Sequence, residues 1–560
     1  MIHGYTYLWQ YMKAFSPVLH LAFLLLSTLL TAQTFTVSPS QLNFGVVTET
    51  SPDSQQVTIS NSTSFDITVT GYRFYDIYGS KAFSASAGSF TITAGGSQAI
   101  WIKFSPQHNV YHNTELFILN DSHRGALRVD LLGQGRYSNS YYNNSQNLAE
   151  EILKDTLKAI TGRNYFNAGY NTARDAMFMI YDNKKVNGQG AAQNTIECVY
   201  TGRNAVGYFD RTDCQTNYSF NTEHVFPQGF FNSLEPMRAD LYHLFPTDDA
   251  ANNVRASNPF GVVANPSWTQ GGSKSNSTTF EPRDIFKGPA ARAMLYFVIR
   301  YQNYSNFMTN QEGILRQWHQ QYPPNTIEVD RSNDIFTLQL NRNPFVDYPQ
   351  FTERITSFSN TSVGNQAASS DFPEDTIDFG LANAAVPNNY TFWIANDGNM
   401  PLNISGLTLN SASVLSFMNS TGSNVTIPPG EASAIEIELA NAAPGAFSGT
   451  LNFTAQGTGL LANVSVPIKA QLSLQGIAEM GNGHGLTLYP NPASERICIA
   501  ENKPIAAARV LDLSGRIISS LSISEWPCFN ISAIENAGFY VLEWEENGKV
   551  FHAPWVKVVE

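Results

Sequence analysis

The chain has 560 residues, too many for one compact core, and its length implies about three to five domains. Aromatic residues at 12% argue against a disordered chain, and charged residues at only 14% favour turn-rich extracellular β-modules over a cytosolic helical protein. A formal net charge of −13 excludes a chain that coats nucleic acid by bulk electrostatics, but not a local basic cleft. Split along the chain, residues 1–136 hold 7 basic and 7 acidic side chains, residues 137–360 hold 19 and 21, and residues 361–560 hold 7 and 18. The acidity therefore belongs to the C-terminal third.

In chain order, Lys13 precedes an apolar run from Val18 to Leu30 that ends in Thr31-Ala32-Gln33. So short a run with a small-residue exit predicts a signal peptide over residues 1–33 rather than a span. No later stretch reaches the roughly 18 apolar residues that a helix needs to cross a bilayer. The chain is thus expected to be exported, secreted or held at the cell surface, without a stable membrane span. In an oxidising compartment two local disulfides are expected, Cys198 with Cys214 and Cys498 with Cys528, four free buried thiols being the alternative.

Residues 34–136 alternate apolar and polar positions between turn residues, as in Val57-Thr58-Ile59 and Ile100-Trp101-Ile102, which predicts a β-sandwich. Residues 371–474 repeat its grammar. Leu42-Asn43-Phe44-Gly45 recurs as Ile377-Asp378-Phe379-Gly380, and Ile92-Thr93-Ala94-Gly95 as Ile427-Pro428-Pro429-Gly430. Both segments resemble the immunoglobulin-like sandwiches found beside many secreted bacterial enzymes. Between them the period changes. Leu148 to Ile160 and Ala290 to Tyr301 have helical spacing, which makes residues 137–360 an α+β insert.

The insert holds the dense cluster of reactive side chains. In Phe220-Asn221-Thr222-Glu223-His224-Val225-Phe226-Pro227, the adjacent carboxylate and imidazole on an extended strand reach different partners. Asp248-Asp249 opens a predicted helix on which Asn252 and Arg255 share a face. One carboxylate and one amide oxygen suffice for a hard cation that keeps its waters. An imidazole with a pKa near 6.5 can take a proton from water, and a guanidinium fork suits a phosphate. Singly, each residue also fits a structural histidine, a helix cap or a solvated side chain.

Together, Glu223-His224-Val225-x-Pro227, Asp240-Leu241-x-x-Leu244-x-Pro246, Asn252-x-x-Arg255-x-x-Asn258 and Lys287-Gly288-Pro289-Ala290-Ala291-Arg292 resemble the endonuclease I family of secreted bacterial nucleases, whose active site is of the ββα-metal type. The resemblance implies a non-specific endonuclease acting on DNA and on RNA too, leaving 5′-phosphate ends. His224 matches the general base, and Glu223 and Asn252 the ligands of Mg²⁺, or of Mn²⁺ or Ca²⁺. Arg255, Arg203, Arg238 and Arg292 are candidates for contact with the substrate backbone, each also open to a structural ion pair. Tyr242 stands where other members have histidine, so His243 receives no role. An arginine-bearing insertion before Asp240 is missing, and Arg238 or Arg255 is expected to replace its phosphate contact.

Residues 485–560, with Tyr489-Pro490-Asn491-Pro492, Gly515-Arg516 and a closing Val556-Lys557-Val558, resemble the C-terminal sorting domain of type IX secretion, which implies that machinery as a partner. The expected architecture is multidomain: an α+β nuclease flanked by immunoglobulin-like sandwiches, with a β-sandwich sorting domain at the end. The rival expectation is a surface adhesin whose insert binds polyanions without cutting them.

Overall fold

The two halves of the internal repeat fold alike, and the reason is visible at the repeated tetrapeptides. Gly45 and Gly380 adopt φ of +63° and +59°, and each backbone N–H is accepted by the side chain two residues earlier, Asn43 Oδ1 at 2.9 Å and Asp378 Oδ1 at 2.8 Å. A left-handed residue at that point produces a bulge. The register slips between Asn43 and Val46 in one copy and between Asp378 and Leu381 in the other. Each bulged strand, Gln41–Thr48 or Ile377–Asn383, runs parallel to the last strand of its own sandwich, Leu127–Arg136 or Leu460–Ser473. Asn61 and Asn396 also correspond, each donating its amide across the core to Ile92 or Ile427 carbonyl oxygen. The first sandwich packs a four-stranded sheet on a five-stranded one, and the second a three-stranded sheet on a five-stranded one.

This computed structural model describes residues 34–473 and 488–558, apart from 77–81, 303–304, 365, 385, 412, 419–423, 441, 490–492, 500–506, 513–515, 522–527, 537 and 547–548. The expected signal peptide, Pro490–Pro492 of the sorting motif and its Gly515 lie outside the described residues. The described part of the sorting segment forms a three-stranded and a four-stranded sheet around Trp544 and Trp555. No helix among the described residues is long and apolar enough to cross a membrane.

Between the sandwiches lies the α+β insert. Its elements are α1 (Glu150–Gly162), α2 (Tyr170–Ala176), α3 (Arg211–Asn217), β1 (Phe220–His224), β2 (Leu244–Asp248), α4 (Asp249–Arg255), α5 (Asp284–Tyr301), α6 (Glu312–Gln321) and α7 (Thr326–Gln339). The core is built around α5, on which Ala290 through Ile299 are all buried. The sequence pattern starts this helix at Ala290, but it begins at Asp284 and runs through Pro289. Ile285, whose carbonyl would have faced the missing N–H, is 62% exposed and can be hydrated. The insert is joined to the first sandwich by the Tyr348 hydroxyl donating to Glu49 Oε1 at 3.2 Å and by Arg354 Nη2 donating to Asn109 Oδ1 at 2.7 Å.

One disulfide expectation holds and the other fails. Cys498 and Cys528 face each other across antiparallel strands and are bonded. Cys198 and Cys214 are free and buried. The Cys198 sulfur instead accepts backbone N–H groups from Asp248 at 3.0 Å and Thr201 at 3.3 Å, which ties it to β2. Burial pushes the Cys214 thiol up to about 12.

Candidate active site

The site grows from one antiparallel pair and the helix that follows it. β1 and β2 pair so that Glu223 faces Phe245 and His224 faces Leu244, and α4 starts directly at the end of β2. Glu223 is 2% exposed and His224 5%. Being consecutive on a strand, they enter different surroundings.

Glu223 points toward Tyr200 and α4. Its Oε1 accepts the Tyr200 hydroxyl at 2.8 Å and lies 3.4 Å from Arg255 Nε. Among the described residues Oε2 has no hydrogen-bond partner. Burial pushes the Glu223 carboxyl above the usual carboxylate range, against the opposing pull of Arg255 and of the Tyr200 hydroxyl. Because Arg255 reaches Glu223 from α4, Asn252, three residues earlier on that helix, lies on the face turned toward the carboxylate. The half-buried Asn252 amide makes no side-chain hydrogen bond among the described residues. Two hard oxygen donors, Glu223 Oε2 and the Asn252 amide oxygen, are therefore uncommitted, which fits a Mg²⁺-like cation that keeps most of its waters. Among the described residues no three His, Cys, Asp or Glu side chains gather into a metal-binding cluster.

His224 turns toward α2 and the loop before β2. Its Nε2 lies 3.2 Å from the Arg238 carbonyl oxygen. A carbonyl only accepts, so Nε2 carries the proton and Nδ1 keeps the lone pair. Burial holds this imidazole well below its ordinary range, and His243, then the Arg238 and Arg174 guanidiniums, push the same way. The ring is therefore neutral at neutral pH, with a lone pair on Nδ1 that can take a proton. The Tyr170 ring lies 5.6 Å from it and the His243 ring 5.5 Å.

The loop that presents Arg238 is fixed by Asp240, which explains the Asp240-Leu241 motif. Asp240 is fully buried, and its Oδ2 accepts both the Tyr296 and Tyr301 hydroxyls at 2.8 Å. Gln339 Nε2 donates to Oδ1 at 3.1 Å. His243 Nε2 in turn donates to the Met237 carbonyl at 2.6 Å, so His243 packs behind His224 and braces the same loop. Tyr242 is structural as well, its hydroxyl donating to the Ser332 and Asn341 carbonyls.

The four arginines named from sequence separate sharply. Arg292 is fully buried and forks onto Glu328, with Nη1 donating to the Tyr322 carbonyl at 2.8 Å. Gly288 permits that approach, since a Cβ there would lie 2.3 Å from the same Tyr322 oxygen. The Lys287–Arg292 motif thus packs α5 against Tyr322, and Arg292, expected to contact substrate, is enclosed by protein groups. Arg255 is 1% exposed and its donors face Glu223 and the Val225 and Ala256 carbonyls, where the sequence led to an expected phosphate contact. Arg203 is ion-paired to Asp248, and its Nη2 donates to the Tyr218 carbonyl at 2.8 Å. Arg238 alone of the four has no carboxylate partner; its guanidinium lies 4.0 Å over the Tyr170 ring and its Nε is buried without a hydrogen bond. Sequence reasoning missed Tyr200, Tyr170 and Arg174. The last two stand four apart on α2, a spacing that could have flagged a Tyr–Arg pair on one helical face.

Against this geometry, residues 141–350 match the family model for Endonuclease I. That match covers the segment that carries the site. Residues 33–131 match the HYDIN/CFA65/VesB-like Ig-like domain, and residues 487–557 the secretion system C-terminal sorting domain. The sorting domain places the chain among secreted or cell-surface proteins. The chain is 29% identical over 154 residues to the extracellular ribonucleases of Bacillus subtilis (strain 168) and Bacillus amyloliquefaciens. That alignment covers 24% of this chain and 54% and 53% of theirs, so it spans about half the length of each relative. Among solved structures, the Vibrio cholerae VesB protease is similar at 18% identity, over 23% of this chain and 36% of that one, with a TM-score of 0.15. The ASH/PapD-like domain of human CEP192 is similar at 15% identity, over 19% of this chain and 87% of that one, also with a TM-score of 0.15.

Proposed function

We propose that the endonuclease I domain is a secreted, divalent-metal-dependent endonuclease that hydrolyses phosphodiester bonds in DNA and RNA with little sequence preference. The observation that carries this reading is His224. It is a buried neutral imidazole whose tautomer is fixed by the Arg238 carbonyl, and it neighbours a carboxylate with one free oxygen. That the similar Bacillus proteins are extracellular ribonucleases favours RNA among the substrates.

A hard cation held by Glu223 and Asn252 would neutralise the scissile phosphate and stabilise the departing oxygen. The chain's own residues do the rest. His224 Nδ1 takes a proton from the attacking water, the oxygen of that water bonds to phosphorus as the bond to the 3′-oxygen breaks, and the 3′-oxygen takes a proton from solvent, which leaves a 5′-phosphate and a 3′-hydroxyl. The Arg238 carbonyl holds the imidazole in the reactive tautomer and favours the protonated form as it develops. Arg255 and Tyr200 hold the Glu223 carboxylate in place from behind, leaving Oε2 forward.

The test is incubation of the full chain with plasmid DNA and with RNA, in Mg²⁺ and in chelator. Cleavage in Mg²⁺ that chelator stops, with 5′-phosphate ends, supports the proposal. Binding of either polymer without cleavage in any divalent metal would instead support the polyanion-binding adhesin.

A further inference from the structure

Two guanidiniums beside His224 lack the carboxylate partner that most arginines of the domain have. Arg255, Arg292, Arg203, Arg283, Arg331 and Arg342 are each paired with a carboxylate within 4 Å. Arg174 and Arg238 are not. Arg174 Nε donates to Thr222 Oγ1 at 3.2 Å and Nη2 to Gln215 Oε1 at 2.8 Å, both neutral, and Nη1 bonds nothing among the described residues. Both guanidiniums lie against one ring, with Arg238 4.0 Å and Arg174 4.8 Å from the Tyr170 centroid. Arg211 extends the row, donating to Gln215 as Arg174 does, its one carboxylate being the exposed Asp175. The nearby Glu235 is occupied by Asn167 Nδ2 and the Tyr170 N–H.

Three guanidiniums crowded together against one exposed carboxylate repel one another. The Arg174 guanidinium is held below its ordinary range by burial and by the charges of Arg211 and Arg238. Such an arrangement is relieved by an anion, and a planar fork on an aromatic platform suits a phosphate with its free oxygens outward.

We propose that Arg238, Arg174 and Arg211, stacked on and beyond Tyr170, form a phosphate track that leads one strand of the substrate away from His224 along α2. This rests on the nuclease reading above and adds what the sequence motifs do not contain: the phosphate contacts fall on α2, the start of α3 and the Arg238 loop, not on Arg255 or Arg292. The track reads the sugar–phosphate backbone, so DNA and RNA both fit it.

The experiment uses the full chain carrying His224→Ala, so that substrate is bound but not cut. Affinity for a fluorescein-labelled DNA duplex is measured by anisotropy in Mg²⁺ from about 50 to 200 mM salt. Added Arg174→Gln, Arg238→Gln or Arg211→Gln should each reduce the slope of log K against log salt by about 0.9, the value of one lost phosphate contact. Arg174→Lys should keep the slope, since the charge remains. Unfolding temperatures identify any misfolded variant, and the three glutamine variants lie on separate elements, so one failure leaves two. Unchanged slopes in the glutamine variants overturn the track, as does an equal loss in Arg174→Lys, which would show that Arg174 only braces Thr222. A His224→Ala parent with no salt-dependent binding would instead overturn the nuclease reading itself.

Discussion

Replacing Arg255 with methionine tests whether the arginine of the Asn252–Asn258 motif is a structural counter-ion. The residue is 1% exposed, 3.4 Å from Glu223 Oε1, and donates to the Val225 carbonyl at 2.6 Å and the Ala256 carbonyl at 3.0 Å. Methionine fills similar volume but strands a carboxylate that is itself 2% exposed. Breaking a buried pair from one side costs about 3–5 kcal/mol. The two carbonyls that lose donors push toward the upper end. For a domain of this size that is a fall of roughly 6–20 °C in unfolding temperature. Scanning calorimetry of the full chain measures it, with the sandwich transitions as internal references. Adding Glu223→Gln to Arg255→Met removes the stranded charge and should restore most of the loss, though not activity. The reasoning is refuted if Arg255→Met unfolds within about 2 °C of the parent, the shift expected of a surface change. A flattened salt dependence of DNA binding in that stable variant would return Arg255 to phosphate contact.

Three further outcomes follow from particular residues. Asn252→Ala, at an amide with no partner in the protein, should leave the unfolding temperature within about 2 °C yet raise the Mg²⁺ concentration needed for cleavage, and an unchanged requirement would remove Asn252 from the metal site. His319 is held at about 4 by burial, below an ordinary value of 6.5. Its neutral form is fully favoured above pH 6.5, and as pH falls toward 4 the unfolded chain binds the proton first. Stability should therefore drop by up to about 1.4 kcal/mol per pH unit in that window. His319→Gln, which can still donate to the Pro349 carbonyl, should flatten this dependence, and identical pH profiles would contradict it. Finally, a thiol reagent should find two thiols, Cys198 and Cys214, in the denatured unreduced chain and none in the native one, whereas no thiols after denaturation would restore the second disulfide.

The flanking architecture was largely readable because its signals are local. Gly45 and Gly380 mark bulges that any strand with that tetrapeptide must make, and their recurrence exposed the repeat. Glu223 and His224 were readable because adjacent residues on a strand diverge without help from the rest of the fold. The arginines were not. Whether Arg292 meets Glu328 or a phosphate depends on α7, 36 residues away, and on how closely Gly288 lets α5 approach Tyr322. A motif records that a guanidinium is present, and only packing decides what it faces. Arg174 shows the converse: it belongs to no quoted motif, yet β1 and α3 hold it beside His224. The same limit applies to Cys198, whose sequence distance of 16 from Cys214 fits a disulfide, while its sulfur is claimed by N–H groups of β2 and the preceding turn.

The most direct measurement of the central claim is the rate at which the full chain nicks supercoiled plasmid in Mg²⁺, compared with the His224→Ala variant at matched unfolding temperature. Loss of a positioned general base predicts a fall of about 10²–10⁴-fold with duplex affinity retained. Equal nicking by the variant, or none by the parent in any divalent metal, would contradict it.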